Sequence, residues 1–220
     1  GADYNIYSAF MACNTPYLWI LSTNDVPKFD ALDIIRRDLG AGYGFINYAS
    51  RKKEIVVKSF REFCRSDISY TRAFFISECI YNVRELNRVL GEYEKYMYTQ
   101  NGQLILIMKY LEYTKECKYL FSTNSLIKSE TPASWSRLEF INNSMGLLNI
   151  FSGKSGKIFD RYFAKKIIYV WLLFLRLERE KGSLGWFESA ILFMRILKNA
   201  RIISFLNLPI VYRSLRLLLK

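Results

Sequence analysis

The first clear pattern in the chain is a short, almost wholly apolar run, Tyr17 to Ser22 (YLWILS). A run of this length predicts a strand buried on both faces of a parallel sheet. It breaks into the polar loop Thr23-Asn24-Asp25, and Pro27 is placed for the first turn of a helix. Phe29, Leu32, Ile35 and Leu39 follow at helical spacing, and Gly40 supplies a stop. Strand, polar loop and amphipathic helix make half of a βαβ unit.

Further along, Gly44 to Tyr48 and Glu54 to Lys58 read as two short strands around the basic turn Arg51-Lys52-Lys53. Between Thr71 and Leu90 an apolar run (AFFIS) leads into a helical stretch with Ile80, Val83, Leu86 and Leu90 on one face. Gln103 to Cys117 predicts another helix. Tyr119 to Phe121 and Leu126 to Lys128 predict short extended segments, and Trp135 to Phe151 returns to helical spacing. After a small loop, Ser152 to Lys157, the character changes. Ile158 to Lys181, Trp186 to Asn199 and Leu208 to Lys220 predict three basic amphipathic helices, punctuated by Gly182, Gly185 and Pro209. The expected organisation is residues 1–157 as an α/β domain and 158–220 as a basic helical tail.

Composition narrows the chemistry. Apolar residues make up 51% of the 220 positions, which suits a packed core and excludes a disordered chain. Histidine is absent, which removes Ser-His-Asp and Cys-His catalysis and leaves acid-base or metal chemistry to carboxylates. The four cysteines, Cys13, Cys64, Cys79 and Cys117, include no Cys-x-x-Cys pair, so they form a poor zinc site and read as reduced thiols of a cytosolic protein. The longest apolar run, Ile167 to Leu175, is too short to span a bilayer. Of the net charge of +12, residues 1–157 carry +4 and residues 158–220 carry +8. The tail sets Trp171, Phe174, Trp186, Phe193, Phe205 and Tyr212 beside Lys and Arg. That mixture suits an anionic membrane surface, and equally suits helix packing with a solvated basic face. No RNA- or DNA-binding motif accompanies it, and nucleic acid is not an expected partner.

The most informative candidate site is Ser22-Thr23-Asn24-Asp25. Open α/β sheets bind ligands beyond the carboxyl ends of their strands, so a carboxylate there is placed to meet one; the plainer alternative is that Asp25 caps the following helix. Gly153-Lys154-Ser155-Gly156-Lys157 lacks the spacing of a phosphate loop and follows a predicted helix where a strand is needed, so it reads as a solvated turn.

The stretch NIYSAFMACNTPYLWILSTNDVPKFDALDII resembles the middle of family 2 glycosyltransferases. There an Asn-bearing helix leads to a "YLW-L" strand, an acidic Asp-x-Asp-type cluster, a Pro and a helix. FFISECIYNVREL (Phe74 to Leu86) is similar to a segment found downstream in bacterial polysaccharide-building members. The resemblance covers the first 90 residues well and the next 60 loosely.

It implies a partial GT-A (Rossmann-like) mixed sheet and transfer of a sugar from a nucleotide-sugar donor to a lipid-linked or polysaccharide acceptor. It also implies a peripheral position on the cytoplasmic face of the membrane, and a divalent metal (Mn²⁺ or Mg²⁺) at the acidic cluster. Asp25 matches the last acid of that cluster and Asn5 the Asn of the preceding helix, which makes Asn5, Ser22, Thr23, Asn24 and Asp25 the expected donor-binding residues and Asp25 the expected metal ligand. The earlier acidic positions are Thr23 and Asn24 here. The family's base is an acid further downstream, where this chain has Thr99, Gln100 and Asn101, with Glu92 and Glu94 nearby. The resemblance also implies an opening portion upstream of Gly1. A relative whose metal site has decayed, acting as a membrane-surface module, is the alternative.

Overall fold

The computed structural model describes residues 2–48, 53–66, 75–114, 116–128 and 136–199. The chain divides into two compact units at Ala133 and Ser134, so the helix after Ser136 groups with the basic helices, ahead of the change of character that the sequence places at 157.

The first unit is mixed α/β. Helix α1 (Ala2–Ala12) leads into β1 (Tyr17–Trp19) and the short β2 (Val26–Pro27). Then come α2 (Ala31–Leu39), β3 (Phe45–Asn47), β4 (Ile55–Val57), α3 (Phe60–Arg65) and β5 (Cys79–Asn82). Helices α4 (Val83–Leu86), α5 (Leu90–Lys95) and α6 (Gly102–Tyr113) follow, then β6 (Tyr119–Phe121) and β7 (Ile127–Lys128). Five strands form one sheet in the order β1-β5-β3-β6-β4, and β2 pairs with β7 as a separate two-stranded ribbon. Strands β3 and β6 are parallel, while β5 runs antiparallel to both β1 and β3, and β4 antiparallel to β6.

Strand alternation sorts the core into two layers. Ile46, Ile80 and Leu120 face one way and pack with Ala31 and Ile35 of α2. Phe45, Tyr81, Tyr119 and Phe121 face the other way as an aromatic layer, with ring centroids 5.4 Å apart for Phe45–Tyr81 and for Phe45–Tyr119. Phe10 of α1 closes this layer edge-on against Tyr81 at 5.1 Å. Burying each of these rings contributes roughly 2 kcal/mol.

Several expectations change. The apolar run at Tyr17 is an edge strand, half-buried and hydrogen-bonded only to antiparallel β5, rather than a strand covered on both faces. Val26 and Pro27 do not begin a helix; they pair with Lys128 and Ile127, and the helix starts at Ala31. Phe29 and Leu32 are exposed, so the core face of α2 is Ala31, Ile34, Ile35 and Leu39. Cys79 to Asn82 is a strand where helical spacing was read, because its neighbours on both edges bury Ile80 and Tyr81 on opposite faces. The two strands around the basic turn are not neighbours in the sheet, where β6 lies between β3 and β4. Strands β3, β4, β6 and β7 and helix α6 fall where the pattern places them.

The second unit is helical: α7 (Arg137–Ser144), α8 (Gly153–Tyr162), α9 (Ala164–Glu180) and α10 (Trp186–Asn199). The predicted loop at Ser152 to Lys157 is the opening of α8, and the predicted helix from Ile158 is two helices meeting at Phe163. Arg137 and Glu178 join α7 to α9 at 2.6 Å. Trp171, Phe174 and Phe193 are buried core, while Trp186 is exposed. Phe205, Tyr212 and the helix predicted from Leu208 lie outside the described residues, as do Arg51, Lys52, Trp135 and the start of the AFFIS run.

Candidate functional site

The sheet concentrates polar side chains at one end. Strands β1, β3 and β6 run the same way, and their carboxyl ends lead to the Asp25 turn, to Tyr48 and to Ser122–Ser125. Strand β5 enters from that end, which sets Ser77 and Glu78, in a single 3₁₀ turn ahead of it, among the same loops.

Ser22 to Asp25 is a tight turn closed by the Asp25 N–H on the Ser22 carbonyl at 3.1 Å. Ser22, Thr23 and Asn24 are exposed and Asp25 is half-buried. The hydroxyl of fully buried Ser77 donates to Asp25 Oδ2 and accepts the Ser22 N–H at 3.1 Å. The Ser77 carbonyl takes the Trp19 indole N–H at 2.8 Å, which locks β1 to the same residue. Asp25 therefore does not cap the helix predicted after it. The helix begins six residues later, and Asp25 is turned toward Ser77.

Glu78 performs the matching task on the other loop. It is 5% exposed, and its carboxylate accepts the Ser125 hydroxyl at 2.6 Å and the Leu126 N–H at 2.7 Å. Burial pushes its carboxyl above the usual range, and the Ser125 and Leu126 donors oppose that rise. Leu126 in turn accepts the Lys28 N–H at 2.7 Å, beside the β2–β7 pair. The dipeptide Ser77-Glu78 thus ties together the two loops that border Asp25.

A third acid lies where α1 meets the start of α6. Asp3 is 8% exposed, and its carboxylate faces the N–H groups of Gly102 and Gln100. Burial, the largest influence, raises its carboxyl to about 6 against the pull of those donors. The Tyr93 hydroxyl donates to the Asp3 carbonyl at 3.2 Å. Gln100 is left-handed at φ 56°, and a Cβ on Gly102 would sit 2.5 Å from the Tyr93 ring. The Asp3 carboxylate thus sits against the backbone that follows Thr99.

Of the expected site residues, the structure brings Ser22 and Asp25 together through Ser77, and leaves Thr23 and Asn24 on the exposed rim of the turn. Asn5 is exposed on α1, and among the described residues no hydrogen bond joins it to the turn. Glu92 belongs to an ion-pair cluster with Lys95 at 2.6 Å and Lys109 at 4.0 Å. That cluster lines an open cleft of about 490 Å³ between α5 and α6, and Glu94 is exposed. Neither glutamate is brought to Asp25. Ser77, Glu78 and Asp3 carry no spacing motif that marks them in the sequence. The available signal for the first two was a polar Ser-Glu pair abutting the apolar Cys79-Ile80-Tyr81.

Among the described residues no three acids or cysteines converge to hold a metal ion by themselves. Asp25 offers one carboxylate oxygen not taken by Ser77, and the neutral, oxygen-bearing Thr23 and Asn24 are exposed on the same turn. Such hard, sparse donors fit a small divalent cation that shares its shell with a ligand's phosphates, and do not fit a protein-only cage. No helix is long and apolar enough to cross a membrane among the described residues. Set against protein-family models, curated proteins and solved structures, the chain matches none of them.

Proposed function

We propose that the chain acts as a glycosyltransferase that moves a sugar from a nucleotide-sugar donor to a lipid-linked or polysaccharide acceptor. The observation that carries this reading is the position of Asp25: a lone carboxylate in a braced turn past the carboxyl end of β1, where open α/β sheets bind ligands. Asp25 would hold a divalent Mn²⁺ or Mg²⁺, with Thr23 and Asn24 as neutral donors beside it. When bound, the ion supplies charge neutralisation to a departing diphosphate. The turn contributes a fixed carboxylate and exposed polar groups to orient the donor. In such a transfer the acceptor oxygen would bond to the anomeric carbon as the bond to the nucleoside diphosphate breaks, with inversion, the hydroxyl proton passing to water. In binding measurements over a panel of uridine- and guanosine-diphosphate sugars with Mn²⁺, Asp25→Ala is expected to lose the metal-dependent affinity. Equal affinity in the variant removes Asp25 from the donor site.

The same reading places the protein on the cytoplasmic face of a membrane, at an anionic surface. It is favoured by α10, which buries Ser189, Leu192, Phe193 and Ile196 while exposing Phe187, Ile191 and Met194 as a stripe beside Trp186. Arg179 stacks over the Trp186 ring at 4.1 Å, and Arg195 and Lys198 are exposed on the same helix. Such a face suits a bilayer interface rich in anionic headgroups. Sedimentation with phosphatidylglycerol vesicles is expected to exceed that with phosphatidylcholine vesicles, and to fall in a Phe187→Ser, Ile191→Ser variant. Vesicle binding with no affinity for any nucleotide sugar would instead favour the decayed, non-enzymatic relative.

A further inference from the structure

Resting on the reading of Asp25 as a cation ligand, we infer that Ser77 is its positioning residue, selecting which carboxylate oxygen is offered to the metal. Asp25 sits on a short turn whose other members are exposed, and a side chain there would otherwise rotate freely in solvent. Ser77 removes that freedom from 52 residues away in sequence. Its hydroxyl is itself oriented: the Ser22 N–H occupies an acceptor lone pair at 3.1 Å, which directs the O–H toward Asp25 Oδ2. Its backbone is held by the Trp19 indole at 2.8 Å, so the serine cannot follow the turn if the turn moves. With Oδ2 engaged, Oδ1 is the oxygen left for the cation. The arrangement matches the general logic by which outer hydrogen bonds fix a ligating group before the metal arrives.

The adjacent Glu78 gives the control. Ser125 donates to Glu78 at 2.6 Å and braces the neighbouring loop without touching Asp25. If Ser77 were only structural, removing either hydroxyl would soften the same region in the same way. If Ser77 positions Asp25, only its removal reaches the cation.

The experiment is a Mn²⁺ titration of the full chain with uridine diphosphate present, reading free Mn²⁺ by its paramagnetic resonance against a protein-free control holding the same uridine diphosphate, with a melting curve for each variant. The wild type should bind, and Asp25→Asn should not. Ser77→Ala should bind about tenfold more weakly while melting close to the wild type. Ser77→Cys, similar in volume but a far weaker donor, should be weakened as well and stands in if the alanine variant does not fold. Ser125→Ala should keep wild-type affinity. Wild-type affinity in both Ser77 variants overturns the positioning role while leaving Asp25 as the ligand, as does equal weakening in Ser77→Ala and Ser125→Ala. Absence of Mn²⁺ binding in the wild type overturns the metal reading of Asp25 and the role of Ser77 with it.

Discussion

Glu78 and Asp3 are both acids buried in the first unit, both answered by backbone N–H groups, and the protein treats them differently. Each oxygen of Glu78 has a donor, from the Ser125 hydroxyl and the Leu126 N–H. Asp3 has the N–H groups of Gln100 and Gly102 near it, yet its Oδ2 is buried without a hydrogen-bond partner. A carboxylate with a donor on each oxygen can act as a strut between loops, since removing it strands the donors it satisfied. A carboxylate left partly unanswered is itself a strain on the fold once it ionises, because desolvation is not repaid by partners. The comparison separates a buried acid that holds structure together from one that the structure only tolerates.

Removing the strut should have the largest effect. Glu78→Ala leaves the Ser125 hydroxyl and the buried Leu126 N–H unanswered, and is expected to cost about 3 kcal/mol in urea unfolding. Glu78→Gln keeps one acceptor and should cost about 1 kcal/mol. If the glutamine variant is as damaged as the alanine variant, the charge rather than the paired geometry carries the role. At the other corner, Gly102→Ala should cost about 2 kcal/mol, because a Cβ there meets the Tyr93 ring at 2.5 Å and forces the ring or α6 aside. A neutral Gly102→Ala would mean that the corner around Asp3 is loose enough to yield, and the contrast with Glu78 would widen.

The sequence carried the outline of this arrangement unevenly. The apolar YLWILS run ending in a polar turn located Asp25 at a strand end, and short apolar runs located β3, β4, β6 and α6, because these signals are local. Pro27 misled, since its preference for a first helical turn gave way to pairing with Ile127, a hundred residues on. Ile80, Val83, Leu86 and Leu90 misled for a related reason. Their spacing fits a helix, but Ile80 belongs to a strand that is hydrogen-bonded on both edges, and such pairing overrides local periodicity. Ser77, Glu78 and Asp3 stayed hidden because their partners lie 47 to 99 residues away: Ser77 reaches Asp25, Glu78 reaches Ser125 and Asp3 reaches Gly102. Nothing in the spacing of an isolated Asp or Ser announces such a partner.

The expected effect at Asp3 is the one that tests the comparison by its sign. Asp3 has a folded-state pKa of about 6, above its ordinary 3.8, so ionising it costs more in the folded protein than in the unfolded chain. Well below pH 3.8 the group is protonated in both states and the cost is absent. As pH rises from about 4 to 6 the unfolded chain releases its proton while the folded protein still holds it, so stability falls across that window and levels off once pH has passed the folded value of about 6. Asp3→Asn keeps an acceptor for the Gln100 and Gly102 N–H groups and cannot ionise. It should therefore melt like the wild type at pH 3 and be more stable at pH 8, by about 1 to 2 kcal/mol. Glu78→Gln, tested the same way, should be destabilised at both ends of the range because its amide cannot accept both donors, though less so at pH 8, since burial raises the Glu78 carboxyl too and the variant escapes that ionisation cost. If Asp3→Asn instead loses stability at pH 8, the carboxylate is a working clamp on the start of α6, and the two acids are struts of one kind.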